Sequence, residues 1–358
     1  MAPQKIAVIA GDGIGPEVTR EAVLLLRFFA EKRGLPLALW ELDLGAERYL
    51  RDGVTLPAEV LRTIERECSA VLLGALGDAR VPGLVAREIL FGLRFGLDLY
   101  ANVRPVKALA DRLVPLKSRG KDAVDFVVFR ENTEGAYAGI GGQLRRGTSD
   151  EIAINEDVNT RRGVERILRA AFDHAQKSGR RRVAMADKSN AMWHAHELWR
   201  RTFDEVKSEY PAIEARHFYV DALCMYLIQD PSQFDVIVTN NLFGDIVTDL
   251  GAALQGGLGM AASANLHPGT AKRVGLFEPV HGSAPELAGQ NRANPFAAFL
   301  TAGLLLEHLG SPQAGAEIER AVSAALDAGR CTPDVGGALG TDEAGAAVRE
   351  LLAGSGAS

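Results

Sequence analysis

Asp245 and Asp249 stand four residues apart in Asn241-Leu-Phe-Gly-Asp-Ile-Val-Thr-Asp249. On a helix this spacing sets both carboxylates on one face, with Ile246, Val247 and Leu250 supplying apolar contacts. Two like charges so close repel each other, which water tolerates and a divalent cation turns to attraction. Oxygen-only ligands suit Mg²⁺ or Mn²⁺ rather than zinc, although a solvated acidic face fits the same spacing. Arg94, Arg104 and Arg130 lie in Leu93-Arg-Phe95, Asn102-Val-Arg-Pro105 and Phe129-Arg-Glu-Asn132. Arg104 precedes a proline and Arg130 ends a β-rich run, so both belong at element ends where side chains can enter a cleft. Guanidinium forks grip carboxylates bidentately, so three converging arginines suit a di- or tricarboxylate; three unrelated surface arginines are the plain alternative. Lys188, in Asp187-Lys-Ser-Asn190, directly follows a strand-like run, a common place for a catalytic group in α/β folds. A lysine of lowered pKa can act as a general base, and an ordinary solvated lysine is the alternative. His194 and His196 would point apart on a helix and read as structural.

Two glycine-containing turns follow strand-like runs. Gly11-Asp-Gly-Ile-Gly-Pro-Glu17 invites a dinucleotide fingerprint, but Pro16 occupies the place of the third glycine. It reads instead as a tight turn with proline at the first helical position. In Glu278-Pro-Val-His-Gly-Ser-Ala-Pro-Glu-Leu-Ala-Gly289, Ser283 is expected to cap a helix begun at Pro285, whose N–H groups would attract phosphate or ribose oxygens. Glu286 could accept hydrogen bonds from an adenosine ribose and would repel a 2′-phosphate, which predicts NAD over NADP.

The elements that must carry these groups alternate. Lys5 to Ala10, Leu37 to Leu44, Ala70 to Gly74, Asp125 to Phe129, Arg182 to Ala186 and Asp235 to Thr239 are short apolar runs that read as strands. Glu17 to Lys32 and Leu56 to Glu67 carry helix-spaced apolar residues, and further helical stretches lie between the later strands. Such alternation predicts an α/β protein with a largely parallel core sheet. Gly139 to Asn155, rich in glycine and charge, breaks the rhythm and reads as either a loop or a projecting hairpin arm. The Gly/Ala/Ser tail after Leu352 is expected to fray.

With 358 residues, a soft prior of about 150 per domain gives two domains. Forty lysines and arginines against 46 acidic residues leave a charge of −6, so no global basic field recruits nucleic acid. The longest nearly apolar stretch, Phe296 to Leu306, is well short of the ~20 residues a membrane span needs. The start, Met1-Ala2-Pro3-Gln4-Lys5, carries no pattern of a secretory signal. Cys68, Cys224 and Cys331 are scattered and odd in number, fitting neither a disulfide framework nor a zinc site. A soluble, cytoplasmic protein is expected.

Taken in order, GDGIGPEV, Asn102-Val-Arg-Pro, Arg130-Glu-Asn-Thr-Glu-Gly, Asp187-Lys-Ser-Asn, Asn241-Leu-Phe-Gly-Asp-Ile-Val-Thr-Asp and Phe277-Glu-Pro-Val-His-Gly-Ser-Ala-Pro-Glu-Leu-Ala-Gly resemble the β-decarboxylating dehydrogenases, the isocitrate/isopropylmalate dehydrogenase family. The resemblance covers nearly the whole chain. It implies an α/β fold that is not Rossmann, with two domains around a shared twisted mixed sheet. Residues 1–99 and 255–358 would form the first, cofactor-binding domain. Residues 100–254 would form the second, with the dimerisation surface, the metal site and an arm near 137–157. The resemblance also implies a homodimer in which Lys188 and Asp221 enter the partner's active site. By the same match Arg94, Arg104 and Arg130 hold substrate carboxylates, Tyr137 donates a proton, and Lys188 acts as base through Asp221 or a water. Asp221, Asp245 and Asp249 would hold Mg²⁺ or Mn²⁺. Asn190, Glu278, His281, Gly282, Ser283, Ala284, Pro285, Glu286 and Asn294 would bind NAD.

Substrate choice turns on the group at C3. Ile89-Leu90-Phe91-Gly92, before Arg94, is apolar throughout. A third carboxylate, as in isocitrate or homoisocitrate, would be poorly solvated against Leu90 and Phe91, at a cost of several kcal/mol. An isopropyl group there gains roughly 1.5–3 kcal/mol. The expected reaction is therefore NAD-dependent oxidative decarboxylation of 3-isopropylmalate, as in leucine biosynthesis. Tartrate and D-malate are the alternative substrates, with homoisocitrate and isocitrate behind them, and a regulatory subunit is the non-enzymatic alternative. Two features depart from the expected pattern. Arg130-Glu-Asn-Thr-Glu-Gly is the form of isocitrate, homoisocitrate and tartrate enzymes, and position 286 is usually aspartate in NAD-using members.

Overall fold

Strands form where the apolar runs were read, and their alternation sets two faces. The computed structural model describes residues 3–269 and 273–354. The chain divides into two compact units: Met1–Leu99, Lys107–Val124 and Ala252–Ser358 make the first, and Tyr100–Val106 with Asp125–Gly251 the second. A boundary at residue 100 would have put Lys107–Val124 in the second unit, but this segment is tied into the first. The Lys107 N–H donates to Gln255 Oε1 at 2.8 Å, Ser323 donates to the Leu109 carbonyl at 2.8 Å, and Arg112 donates to the Leu326 carbonyl at 2.9 Å.

In the first unit the strand order is Leu37–Leu42, Gln4–Gly11, Ala70–Ala75, Gly275–Pro279, Ala262–Leu266, parallel except for the last pair. Successive residues of a strand point to opposite faces. Ile6, Val8 and Leu72 accordingly join one core with the helices Gly15–Lys32 and Phe296–His308, while Ala7, Ile9 and Leu73 join another with Ile64, Val85, Ile89 and Leu93. Being buried on both sides explains why these strands read as continuous apolar runs. Pro16 stands in the first turn of its helix, as the sequence implied.

The second unit orders its strands Ala101–Lys107, Asp125–Glu131, Val236–Thr239, Arg182–Asp187, Glu214–Tyr219. The last four pair in parallel. The helices Arg161–Ser178 and Trp193–Lys207 cover one face, where Ile167, Leu168, Phe172, Trp199 and Phe203 are buried with Phe129, Val183 and Met185. The helix Asn241–Leu254 follows the strand Val236–Thr239, and the Asn240 side chain accepts the Phe243 N–H at 2.9 Å at its start. The segment with two readings is a hairpin: Gly141–Leu144 pairs antiparallel with Ile152–Asn155, and every residue of both strands is exposed. Of the tail after Leu352, Ala353 and Gly354 complete the helix Thr341–Gly354, and 355–358 lie outside the described residues. Among the described residues no helix is long and apolar enough to cross a membrane.

Candidate active site

The second unit brings two of the three arginines onto one carboxylate. Arg104 and Arg130 come from the strands Ala101–Lys107 and Asp125–Glu131, and are 6% and 2% exposed. Arg130 Nη1 donates to Asp245 Oδ1 at 2.5 Å, while its Nε and Nη2 fork onto Asn241 Oδ1 at 3.1 and 2.8 Å. Arg104 reaches Asp245 Oδ1 at 3.4 Å, Thr248 Oγ1 at 2.5 Å and Asn102 Oδ1 at 2.7 Å. Asn241, Asp245 and Thr248 fall at i, i+4 and i+7, so one stripe of the helix Asn241–Leu254 faces the guanidinium groups. Asn102 lies two residues before Arg104, on the same side of its strand. Gly244 lets the stem of Arg130 lie against the helix: a Cβ there would stand 2.5 Å from Arg130 Cγ.

Tyr137 completes this cluster. Its hydroxyl donates to Asp245 Oδ2 at 3.0 Å, and Arg130 lies over its ring at 5.4 Å. Partial burial, and then the Asp245 charge, raise the Tyr137 pKa, with Arg130 and Arg104 acting in the opposite sense. The phenol therefore holds its proton until a stronger base arrives. Asp249, the next turn along, has its carboxyl raised first by desolvation and then by repulsion from Asp245, against the pull of Arg104 and Arg130. A divalent cation relieves that repulsion, so the pair suits a hard metal. The third expected ligand is not with them. Among the described residues no three His, Cys, Asp or Glu side chains are gathered as a metal cluster within the chain.

Asp221 instead pairs with Lys188. Lys188 follows the last residue of the strand Arg182–Asp187, Asp221 lies in the first turn of the helix Val220–Gln229, and Nζ to Oδ1 is 2.6 Å. The ammonium hydrogen bond, more than its charge, holds the Asp221 carboxyl below its usual range. Tyr219 lies 6.0 Å under the ammonium. Asn190 is exposed in the turn after Lys188. His194 is exposed and His196 wholly buried, pointing apart as expected.

In the first unit, Arg94 lies on the helix Leu84–Gly96 one turn after Leu90, so an apolar and a cationic group share one face. Arg94 Nη2 donates to Glu278 Oε1 at 2.7 Å, which also takes the Asn265 amide at 2.9 Å. The buried Nε of Arg94 has no partner among the described residues. Glu278 Oε1 thus orients an arginine.

The glycine turns differ from expectation in one respect. Ser283 caps no helix: Pro285–Leu287 is a single 3₁₀ turn whose N-cap is Ala284, at φ +37°, with no side-chain cap. The left-handed Ala284 and the left-handed Gly289 at φ +74° confine the turn between them. The Ser283 carbonyl instead accepts the Ile14 N–H at 2.8 Å, and the two glycine turns pack together. Gly13, at φ +58°, is required there, because a Cβ would meet the Ser283 oxygen at 2.0 Å. His281 donates from Nδ1 to the Gly282 carbonyl at 3.0 Å, leaving Nε2 a buried acceptor without a partner among the described residues. Burial lowers its pKa, which keeps the ring neutral. Glu286 and Gly282 are exposed. Asn294 is buried: its oxygen takes the Phe296 N–H at 3.0 Å and its amide donates to Asp334 at 2.9 Å, so its side chain anchors the end of this segment.

The sequence reading missed Asn102, Asn241 and Thr248 as holders of the arginines, although strand and helix spacing pointed to them. It also missed the Glu278–Arg94 pair, which joins residues 184 positions apart.

A family model described as isocitrate/isopropylmalate dehydrogenase matches residues 5–348. The chain is 48% identical over 346 residues to a protein of Clavibacter michiganensis subsp. michiganensis named 3-isopropylmalate dehydrogenase, covering 93% of this chain and 96% of that one. A Thermobifida fusca protein of the same name is 47% identical over 320 residues, covering 89% and 90%. Among solved structures, an isocitrate dehydrogenase from Methylococcus capsulatus superposes with a TM-score of 0.88 at 37% identity, over 98% of this chain and 99% of that one.

Proposed function

The chain belongs to the isocitrate/isopropylmalate dehydrogenase family, and on that premise we propose that it oxidises and decarboxylates 3-isopropylmalate, with NAD as oxidant and Mg²⁺ or Mn²⁺ as resident metal. The observation that carries this reading is the convergence of Arg104, Arg130 and Tyr137 on the single carboxylate of Asp245. Such a cluster combines carboxylate-binding forks, a metal-binding carboxylate and a phenol within reach of one small acid.

Arg104 and Arg130 bind substrate carboxylates through Nη groups whose orientation Asn102, Asn241 and Thr248 fix. Arg94 supplies a further guanidinium, aimed by Glu278, with its unpartnered Nε left for a ligand oxygen. Leu90, one turn before it, receives the isopropyl group. Lys188, after releasing its ammonium proton to solvent, takes the proton of the 2-hydroxyl as a neutral amine, through a water or through Asp221, its partner at 2.6 Å. Oxidation at C2 leaves a keto group β to the C3 carboxylate, and CO₂ departs from there. Tyr137 then delivers its proton to C3 and recovers one from solvent; its raised pKa keeps it protonated until that moment.

Asp245 and Asp249 would hold the metal with the partner subunit's copy of Asp221, and Asn190, His281 to Glu286 and the backbone at Asn294 would hold NAD. When bound, the metal would supply polarisation of the substrate's oxygens and the nicotinamide would supply a hydride acceptor. The neutral His281, with its unpartnered acceptor, suits an exocyclic amine donor such as that of adenine. Glu286, exposed and anionic, favours a ribose hydroxyl over a phosphate.

A homodimer accords with apolar side chains left open on the second unit. Met225 and Ile228 on the helix Val220–Gln229, and Ile140, Leu144, Ile152 and Ile154 on and beside the hairpin, are 46–60% exposed. A cytoplasmic place accords with a biosynthetic enzyme. The reaction is tested by following NADH and CO₂ together from 3-isopropylmalate: one of each per turnover, both lost on chelating the metal, is expected. NADH without CO₂, or no NADH at all, would overturn the proposal.

A further inference from the structure

His196 was read from sequence as structural, yet it is the side chain that grips the backbone of Lys188. The Lys188 N–H donates to His196 Nδ1 at 2.8 Å. A donor on that side requires an unprotonated nitrogen, so the ring's proton sits on Nε2. Nε2 faces Asp157 Oδ2 and the Asn240 amide nitrogen, both at 3.3 Å. Asn240 spends its oxygen on the Phe243 N–H and offers only a donor here, so the Asp157 carboxylate must accept the imidazole proton. The ring is 0% exposed, with its edge on Phe243 at 5.4 Å. It can neither rotate nor exchange its tautomer without leaving a buried group unpaired.

A second histidine braces the preceding residue. His217 bonds Asp187 Oδ1 at 2.9 Å, and the N–H and hydroxyl of Ser189 reach the same oxygen, each at 3.0 Å. Arg200 holds the other side of the His217 ring, Nη1 to Nδ1 at 2.7 Å. The residue before Lys188 is therefore held by its side chain, and Lys188 itself by its main chain.

We propose that His196 is a positioning residue for Lys188: its neutral Nδ1, kept in that tautomer by Asp157, fixes the peptide from which the lysine ammonium reaches Asp221. This rests on the reading of Lys188 as the proton acceptor. A filler side chain would serve a merely structural pocket equally well, whereas this role needs an acceptor at the Nδ1 position.

Two substitutions separate the possibilities. His196→Asn keeps an acceptor near Nδ1, and His196→Gln moves it toward Nε2, leaving the Lys188 N–H unpaired. Each purified holoenzyme, with Mn²⁺ and NAD, would be assayed with 3-isopropylmalate beside Lys188→Met, with thermal unfolding measured on all three. The expected result is that H196Q loses about 10- to 100-fold in kcat with KM for both substrates within about twofold, while H196N stays within about threefold of the parent. Equal losses in H196Q and H196N, unchanged activity in both, or failure of both to fold would overturn the proposal. If K188M turns over normally, the reading of Lys188 itself fails; if K188M is inactive and H196Q is normal, only the role of His196 fails.

Discussion

At the residue scale, the proposed reaction would depend on the Tyr137 phenol keeping its proton until a carbanion-like carbon needs it. Tyr137→Phe leaves Arg130, Arg104 and Asp245 in place and removes only that proton. A fall in kcat of about 10²- to 10⁴-fold with KM little changed is expected from steady-state kinetics; a pure KM effect would make Tyr137 a binding group. Glu286→Ala should narrow the ratio of NAD to NADP turnover, and an unchanged ratio would remove Glu286 from the ribose site. Much at this scale was legible in the sequence. Asp245 and Asp249 share a motif at helical spacing, and Arg130 stands next to the end of its strand, whereas Arg104, expected at an element end, lies in the middle of Ala101–Lys107. What was hidden lay in long-range pairs. No spacing rule links Arg94 to Glu278, or Lys188 to a histidine whose tautomer depends on Asp157. Asn294 and Ser283 carried polar atoms suited to a cofactor, but packing spends the Asn294 side chain and the Ser283 carbonyl on other contacts within the first unit.

At the element scale, the helix Asn241–Leu254 does the positioning, and Gly244 is where it must lie closest to a strand residue. Gly244→Ala would set a methyl group 2.5 Å from the Arg130 stem, so the arginine or the helix must move. We expect about 1–3 kcal/mol of lost stability by denaturant unfolding, together with a raised KM for the substrate acid. Unchanged values for both would show that the close approach is not needed. Short apolar runs identified strands such as Gln4–Gly11 and Ala70–Ala75 because both faces are buried, while Ala101–Lys107, Glu214–Tyr219, Ala262–Leu266 and Gly275–Pro279 went unread in the sequence; the hairpin stood out because neither face is buried. The turn after Ser283 was misread because serine before proline imitates a helix start. The conformations of Ala284 and Gly289 that stop it are not visible in residue types alone.

At the scale of the whole molecule, unfolding exposes every buried charge, and Glu131 is the instructive one. At 2% exposure, burial pushes its carboxyl up to about 7, against hydrogen bonds from Thr133 and the Glu134 N–H. The unfolded chain releases that proton near the ordinary value of 4.5. Between these values the folded protein holds more protons than the unfolded one, so this group's contribution falls as pH rises through that window. Glu131→Gln removes the titration, and its Tm relative to the parent should rise from pH 5 to pH 8; a flat or falling difference would contradict the assignment. The two-unit division was legible from length and motif order, but the return of Lys107–Val124 to the first unit was not, because it is fixed by contacts with residues more than 140 positions away. The most direct test of the account is kcat/KM for 3-isopropylmalate, D-malate, tartrate and isocitrate, measured side by side with NAD and Mn²⁺. The apolar turn before Arg94 predicts a clear preference for 3-isopropylmalate, with isocitrate poorest. A preference for isocitrate or D-malate would contradict it.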